Sequence, residues 1–236
     1  MTWLFWPGTG DEAMALSKKT IDFLMENRLR DSKAWFDEHC QIYRETVLEP
    51  LQQLVGRLGP TMLEIDPQLT VDPGVGKTIS RIRRDTRFSK DKSLYRENMW
   101  IIFKRGPMYG TEVPGLYLDF GPDGFEYGGG FYDASPRYME ALRRLVLENG
   151  EEFRQAQKAL ESQQRFRVTG DCYKRPRYPD KPESQRNWLE RRKICVNAES
   201  VDFDLLFSDG FADFLAEEFR RFAPIYKFLL AAAHLR

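Results

Sequence analysis

The chain is poor in cysteine and histidine. Its 236 residues include three cysteines, none of them in a C-x-x-C pair, and two histidines, His39 and His234. An odd number of widely spaced cysteines argues against a disulfide framework and is typical of a reducing compartment, so we expect a cytoplasmic protein. The histidines have no second ligand at metal spacing, so the sequence supports neither a zinc site nor a histidine base. A metal site built from carboxylates stays open, and no cofactor is indicated.

Net charge and long apolar runs are also absent. The 36 lysines and arginines balance 36 aspartates and glutamates. A neutral chain lacks the basic field of a general nucleic-acid-binding protein, so any anion site has to be local. The longest apolar run near the start, WLFW, is far shorter than a membrane span and lacks the basic flank of a secretory signal. No GxSxG or HExxH motif is present, which argues against several hydrolase classes.

One short stretch imitates a phosphate-binding loop. Residues 73–78 read PGVGKT. A P-loop requires a glycine five residues before the Gly-Lys pair, and this chain has Val71 there. A P-loop also requires a helix directly after it, whereas the residues after Thr78 alternate as a strand does. The sequence therefore predicts a plain turn.

The N-terminal third is predicted to be helical. Ser17 is placed as the cap of a first helix, and Ser32 opens a second in which apolar residues recur every three or four positions. Pro50 is expected to kink the second helix, and Gly59-Pro60 to end it. Residues 1–13 are expected to be a flexible tail or to precede the true translation start, which leaves 14–236 as a single domain.

After residue 78 the pattern changes to alternation with a period of two. It predicts strands around Met99–Phe103, Leu116–Phe120 and Phe125–Phe131, and GPDG between the last two predicts an antiparallel hairpin.

The rest of the chain returns to a mainly helical pattern. Helices are predicted from Ser135, from Glu151 and from Ser208, with Pro224 starting or kinking the last, and FRVTGD and KICVNA are short strand candidates. Because strands and helices are segregated along the chain, the predicted fold is α+β, a central mostly antiparallel sheet flanked by N-terminal and C-terminal helices.

Positive charge is concentrated in residues 81–96, RIRRDTRFSKDKSLYR. This segment, called the basic segment below, holds seven basic residues and two aspartates, a surplus of five in a neutral chain. In an extended conformation Ile82, Arg84 and Phe88 would face the core, and the opposite face would carry three arginines and one aspartate: Arg81, Arg83, Asp85 and Arg87. One aspartate cannot neutralise three guanidiniums, so the surplus requires another acid of the chain, water or an external anion.

Two further stretches are candidates for ligand contact. YKRPRYPDK interleaves Lys174, Arg175 and Arg177 with tyrosines, a pattern that can stack on bases or contact phosphates, or that forms a solvated loop. The three glycines of residues 128–130 allow either another part of the chain or a ligand to approach the backbone closely.

Several of these motifs together resemble one family. FLMENRLRDSKAWFDEH, RIRRDTRFSKDKSLYR, GLYLDFGPDGFEYGGGFY and YKRPRYPDKP are similar to the uncharacterised proteins grouped as domain of unknown function 2461. The resemblance covers roughly residues 16–230 and implies a single domain. It implies no activity.

Two functional hypotheses follow. The first is a site, binding or enzymatic, for a phosphorylated or otherwise anionic ligand, in which Asp85 orients guanidiniums and the second basic stretch forms a rim. Its residues are Arg81, Arg84, Asp85, Arg87, Lys90, Lys92, Tyr95, Lys174, Arg175 and Arg177. The alternative is a noncatalytic interaction or scaffold module, whose arginines form internal ion pairs and whose C-terminal helices contact a protein partner.

Overall fold

A computed structural model of the protein describes residues 15–87, 90–131 and 133–235. The expected tail, residues 1–13, lies outside these ranges. The helices are α1 (Lys18–Arg30), α2 (Lys33–Glu38), α3 (Cys40–Tyr43), a π-helical turn (Arg44–Leu48), α4 (Glu49–Ile65), α5 (Pro136–Glu148), α6 (Glu151–Glu161), α7 (Glu183–Leu189), α8 (Phe203–Leu206) and α9 (Phe211–His234). The strands are β1 (Met99–Lys104), β2 (Gly115–Gly121), β3 (Gly124–Gly130), β4 (Arg167–Thr169) and β5 (Cys195–Ser200).

The five strands form one sheet in the order β1-β2-β3-β5-β4, and every neighbouring pair is antiparallel. Strands β2 and β3 form the hairpin predicted from GPDG, closed by the pair Gly121 and Gly124. The α+β prediction with an antiparallel sheet is therefore confirmed. Across the described ranges, no helix is both long enough and apolar enough to cross a membrane.

The N-terminal helices begin at the predicted caps, Ser17 and Ser32. The π-helical turn ends at Leu48, two residues before Pro50, close to the expected kink. The predicted end at Gly59-Pro60 is wrong, because α4 continues through both residues to Ile65. A residue before proline avoids helical geometry mainly through clashes of its backbone and Cβ with the proline ring, and Gly59 has no Cβ. Pro224 likewise lies inside the single helix α9.

Alternation along the strands divides the sheet into two faces. One face, the helix-packed face, is apolar and meets α9: Phe125 packs edge-on against Phe211 at 5.3 Å, and the Tyr127 hydroxyl donates a hydrogen bond of 3.1 Å to Glu218. The residues between these apolar positions point to the other side. We call that side the polar face.

The helix-packed face has a point of very close approach at Gly129. A Cβ added there would lie 2.6 Å from the buried ring of Phe222 in α9 and 3.0 Å from the carbonyl oxygen of Gly115. The absence of a side chain at Gly129 is what lets α9 reach the sheet at this point.

Replacing Gly129 by alanine is expected to lower the free energy of unfolding by about 2 kcal/mol, because the packed ring and strand have to move apart. Gly56 is the matched control: a Cβ there meets nothing within 4 Å, and Gly56→Ala in the interior of α4 should stabilise the protein by about 1 kcal/mol. Urea denaturation of both variants measures the two values. Equal effects of the two substitutions would contradict this account of the packing.

Candidate functional site

The basic segment continues the sheet beyond β1. The Ser80 amide donates to the Trp100 carbonyl at 2.9 Å, and the Arg84 amide donates to the Leu94 carbonyl at 2.8 Å. Residues 78–84 therefore run antiparallel to residues 94–102, although only isolated bridges form. Ile82 is buried, as predicted, and Arg81, Arg83, Asp85 and Arg87 are exposed. Phe88 lies outside the described residues.

The N-terminal helices hold the basic segment in place. Asp31, at the end of α1, adopts a left-handed backbone with φ of 43°, and its carboxylate accepts hydrogen bonds from the amides of Leu94 and Tyr95 at 2.6 and 3.3 Å. The ring of Tyr95 stacks on Phe36 with 5.1 Å between centroids and is fully buried. Tyr95, which is part of the basic segment, thus anchors the segment to the N-terminal helices.

Two aspartates neutralise part of the charge. Asp91 pairs with Arg28 of α1 at 3.0 Å and with Arg84 at 3.1 Å. Asp85 accepts two bonds from the Arg87 guanidinium, at 2.9 and 2.6 Å, and these bonds together with the nearby charge of Arg81 lower the pKa of Asp85 to about 2. These pairs support the alternative hypothesis for Arg84 and Arg87.

Three other cations of the segment are not paired with a carboxylate of the described residues. Within the ranges that the structure describes, no carboxylate lies within 4.0 Å of Arg81, Arg83 or Lys90. Arg81 lies against the turn at Gly76, and Arg83 donates a bond of 3.3 Å to the Tyr95 hydroxyl. Lys92 donates to the Thr86 carbonyl at 2.8 Å. The structure adds Arg28 and Asp31 to the cluster, so the surplus of five positive charges is unchanged.

The turn at residues 73–78 has no phosphate-loop geometry. The Lys77 and Thr78 amides donate to the Gly74 carbonyl at 3.0 and 3.2 Å, and the Gly76 amide donates to the Ile79 carbonyl at 2.7 Å. The chain then enters the extended segment beside β1 instead of a helix. The predicted plain turn is confirmed.

The second basic stretch lies at the opposite edge of the sheet. It follows β4, and its Arg177 stacks on Tyr173 at 3.7 Å while the Arg177 and Tyr178 amides donate to the Glu190 carboxylate. Lys174 and Arg175 are exposed. Because four strand spacings of about 4.8 Å separate β1 from β4, roughly 20 Å lies between the two edges, and the two stretches do not form one site.

The family model described as "Conserved hypothetical protein (DUF2461)" matches residues 19–228 of the chain. The chain belongs to this family. No curated protein matches it. The family description states no activity, so the function of this DUF2461 protein has to be argued from its geometry.

A second cluster, on the polar face of the sheet, was not predicted from the sequence. Here Glu126 accepts hydrogen bonds from the Tyr117 hydroxyl and from the Asn197 amide, both at 3.0 Å, and Asn197 accepts one from Thr169 at 2.5 Å. Beside it, the Asn98 amide donates to both oxygens of Asp119 at 2.9 and 3.0 Å. This polar network of the DUF2461 protein spans β2, β3, β5 and β4.

The two carboxyl side chains of the network lie side by side on the polar face, on the neighbouring strands β2 and β3. Asp119 and Glu126 are direct partners in the antiparallel register, which places their Cα atoms about 5 Å apart. Burial and the charge of Glu126 raise the pKa of Asp119 to about 6, although Asn98 and Arg96 favour its charged form. Asp119 is therefore largely protonated below about pH 6.

Nearby groups of the network are held neutral. Burial raises the pKa of Cys195 to about 11, so its thiol is protonated at neutral pH. Burial also raises the pKa of Tyr117 well above its ordinary value. In the part of the chain with described positions, no group of three or more His, Cys, Asp or Glu side chains is arranged to hold a metal ion.

The alternation of the strands contained a signal for this network. The apolar positions of GLYLDFG and GFEYGGG predict the strands, and the polar residues Tyr117, Asp119 and Glu126 lie between those positions. Three polar residues at alternate positions of one hairpin share a face. That Asp119 lies opposite Glu126 follows once the turn at GPDG fixes the register.

Asp119→Asn is expected to change how stability depends on pH. The pKa of Asp119 is raised in the folded state, so between about pH 4 and pH 6 the folded state binds more protons than the unfolded state, and stability falls as pH rises. In the asparagine variant this decline in the free energy of unfolding, about 2 kcal/mol, should be absent. The value is smaller than the full pKa shift implies because the side chain is only half-buried.

Urea denaturation at several pH values between 4 and 7 measures this difference. The exposed Asp123, in the neighbouring turn, is the matched control, and Asp123→Asn should keep the wild-type dependence on pH. If Asp119→Asn also keeps the wild-type dependence of stability on pH, the assignment of the proton to Asp119 is wrong.

Proposed function

We propose that this protein binds a phosphorylated or otherwise anionic ligand along the exposed side of the basic segment. The observation that carries the proposal is the division of its cations into two groups. Arg84 and Arg87 pair with aspartates of the same chain, whereas Arg81 and Arg83 lie on one exposed face with no carboxylate partner among the described residues.

The spacing of Arg81 and Arg83 suits an anion with several oxygens. Residues two apart on an extended segment lie on the same side, about 7 Å apart, and a phosphate can accept a pair of N–H bonds from each guanidinium. Lys90, exposed on the following loop, adds a third cation to the candidate site. The net surplus attracts an anion from solution as well as binding it.

The paired residues of the hypothesis have a supporting role in this proposal. Arg84 and Asp91 connect the segment to α1 through Arg28, and Tyr95 anchors it on the aromatic cluster of Phe36. Such contacts fix the backbone, so Arg81 and Arg83 are presented with less conformational entropy to lose on binding. Lys174, Arg175 and Arg177 lie at the other edge of the sheet and are not included.

The proposal is tested by calorimetric titration with pyrophosphate, ATP and a short RNA at low and high salt. The double variant Arg81→Ala, Arg83→Ala should bind at least about tenfold more weakly, since hydrogen bonds between charged groups contribute about 1.5 kcal/mol or more each. Wild-type affinity should fall with added salt because the cations are exposed.

The double variant Lys174→Ala, Arg175→Ala is the matched control. It removes the same charge from the opposite edge and should bind as the wild type does. Equal losses in both double variants would indicate general attraction by charge and would exclude a specific site. No binding of any of the three probes would favour the noncatalytic interaction module.

A further inference from the structure

The junction between α5 and α6 contains an Asn-Gly pair. The sequence has five asparagines, and Asn149 is the only one that is followed by glycine. Asn149 adopts a left-handed backbone with φ of 50° and ψ of 42°, which ends α5, and Gly150 caps the start of α6. Asn149 is exposed, and within the described chain its side chain forms no hydrogen bond. The side-chain amide is therefore free to turn toward the following peptide group.

The backbone amide of Gly150 is also without a partner. The Asn149 amide donates to the last carbonyls of α5, those of Leu145 and Val146, both at 3.2 Å. The Gly150 amide comes one residue later and has no acceptor among the described residues. Gly150 has no Cβ that would shield its nitrogen. An unbonded backbone nitrogen thus lies next to an exposed asparagine side chain, which is the arrangement that permits attack of the one on the other.

The guanidinium of Arg154 is bonded to the same peptide group. Its Nη1 atom donates to the carbonyl oxygen of Asn149 at 2.8 Å, and its Nη2 atom donates to the Glu151 carboxylate at 2.7 Å, which holds the guanidinium in place. When a peptide group loses its N–H proton, the negative charge is shared between the nitrogen and the carbonyl oxygen. A cation bonded to that oxygen stabilises the charge, so Arg154 favours deprotonation of the Gly150 amide.

We propose that Asn149 is a site of spontaneous deamidation that Arg154 promotes. Hydroxide removes the Gly150 amide proton, and the nitrogen attacks the Cγ atom of Asn149. A bond forms between these two atoms, the bond from Cγ to the side-chain nitrogen breaks, and that nitrogen leaves as ammonia with a proton from water. Water then opens the cyclic imide at either carbonyl, which leaves aspartate or isoaspartate at position 149. The net reaction consumes water and releases ammonia.

The modification changes the junction in two ways. Both products add a negative charge beside the first turn of α6, where the helix dipole favours an anion, and after the last turn of α5, where it does not. Isoaspartate also lengthens the backbone between the two helices by one atom. Because α5 and α6 both contact α9, the added length has to be absorbed in one of these two contacts. We therefore expect the isoaspartate product to be the less stable of the two.

The experiment is incubation of the folded protein at pH 8, followed by digestion with trypsin and mass spectrometry. Cleavage after Arg144 and Arg154 releases residues 145–154, LVLENGEEFR, in which Asn149 is the only side chain with an amide. We expect this peptide to gain the mass difference between an amide and an acid, and to separate into two products of equal mass. Conversion should be slower at pH 6, because less hydroxide is present to remove the amide proton.

Gly150→Ala tests the role of the backbone nitrogen. The φ angle of Gly150 is −67°, and a Cβ added there meets nothing closer than a side-chain oxygen of Glu152 at 3.6 Å, so the variant should keep the fold. Conversion should slow by about tenfold, because the Cβ hinders approach to the nitrogen.

Arg154→Gln tests the role of the guanidinium, and its conversion is measured on the longer peptide 145–158. It should slow the reaction by about threefold, a modest effect because the guanidinium is exposed and its charge is screened. Asn187 is the matched control within the same protein. It is exposed, but Trp188 follows it and Arg191 donates to its side-chain oxygen at 3.0 Å, so it should stay unmodified.

Three results would overturn the proposal. The first is that the peptide from the folded protein keeps its mass over a period in which the same chain unfolded in urea converts, because the junction would then protect Asn149. The second is that Gly150→Ala converts as fast as the wild type. The third is that Arg154→Gln converts as fast as the wild type, which would remove the part assigned to Arg154.

Discussion

Packing of α9 against one face of the sheet is the constraint on which the rest of the structure depends. The buried Glu218 of α9 is bonded by Tyr127 of β3 and by Arg165 and Arg221, at 3.1, 2.7 and 2.7 Å. Three donors satisfy this carboxylate, and removal of its partners would leave a buried polar group without hydrogen bonds. This contact fixes which face of the sheet is covered by the helix and which face carries the polar network.

A second buried carboxylate fixes the far end of α9. Asp66, just after α4, accepts two bonds from Arg105 at 2.6 and 2.9 Å and one from the Tyr226 hydroxyl of α9 at 2.6 Å. Arg105 directly follows β1, so one carboxylate connects two helices to the edge strand that carries the basic segment. The position of that edge, and with it the presentation of Arg81 and Arg83, therefore depends on the helical layer.

Much of the fold could be predicted from the sequence because its signals are local. The caps at Ser17 and Ser32, the hairpin at GPDG and the alternation of the strands all act over a few residues. The helix end expected at Gly59-Pro60 was wrong, and Gly59 lacks the Cβ that contributes part of the steric conflict on which the rule rests. The rule that a helix ends before proline assumes a preceding residue with a Cβ, and it is weaker when that residue is glycine.

The candidate sites could be predicted only in part, since side-chain pairing is not local. The surplus of positive charge is visible in the sequence. Which cations pair with aspartates is not visible, because Arg28 bonds Asp91 across 63 positions of the chain. Equally, nothing in the sequence places YKRPRYPDK at the edge opposite the basic segment, because the strand order β1-β2-β3-β5-β4 decides it. The polar network can be located only when the strand register is known as well as the alternation of apolar residues.

Arginines on an outer strand also have a role that needs no ligand. Charged side chains on an exposed edge prevent it from pairing with the edge of another molecule, and residues 78–84 form such an edge beyond β1. That role needs charge of either sign and no particular geometry. It does not explain why Asp85 and Asp91 pair with Arg87, Arg84 and Arg28 while Arg81 and Arg83 have no carboxylate partner among the described residues. Protection of an edge does not require a surplus of positive charge on an anchored backbone. Binding of an anion does require such a surplus.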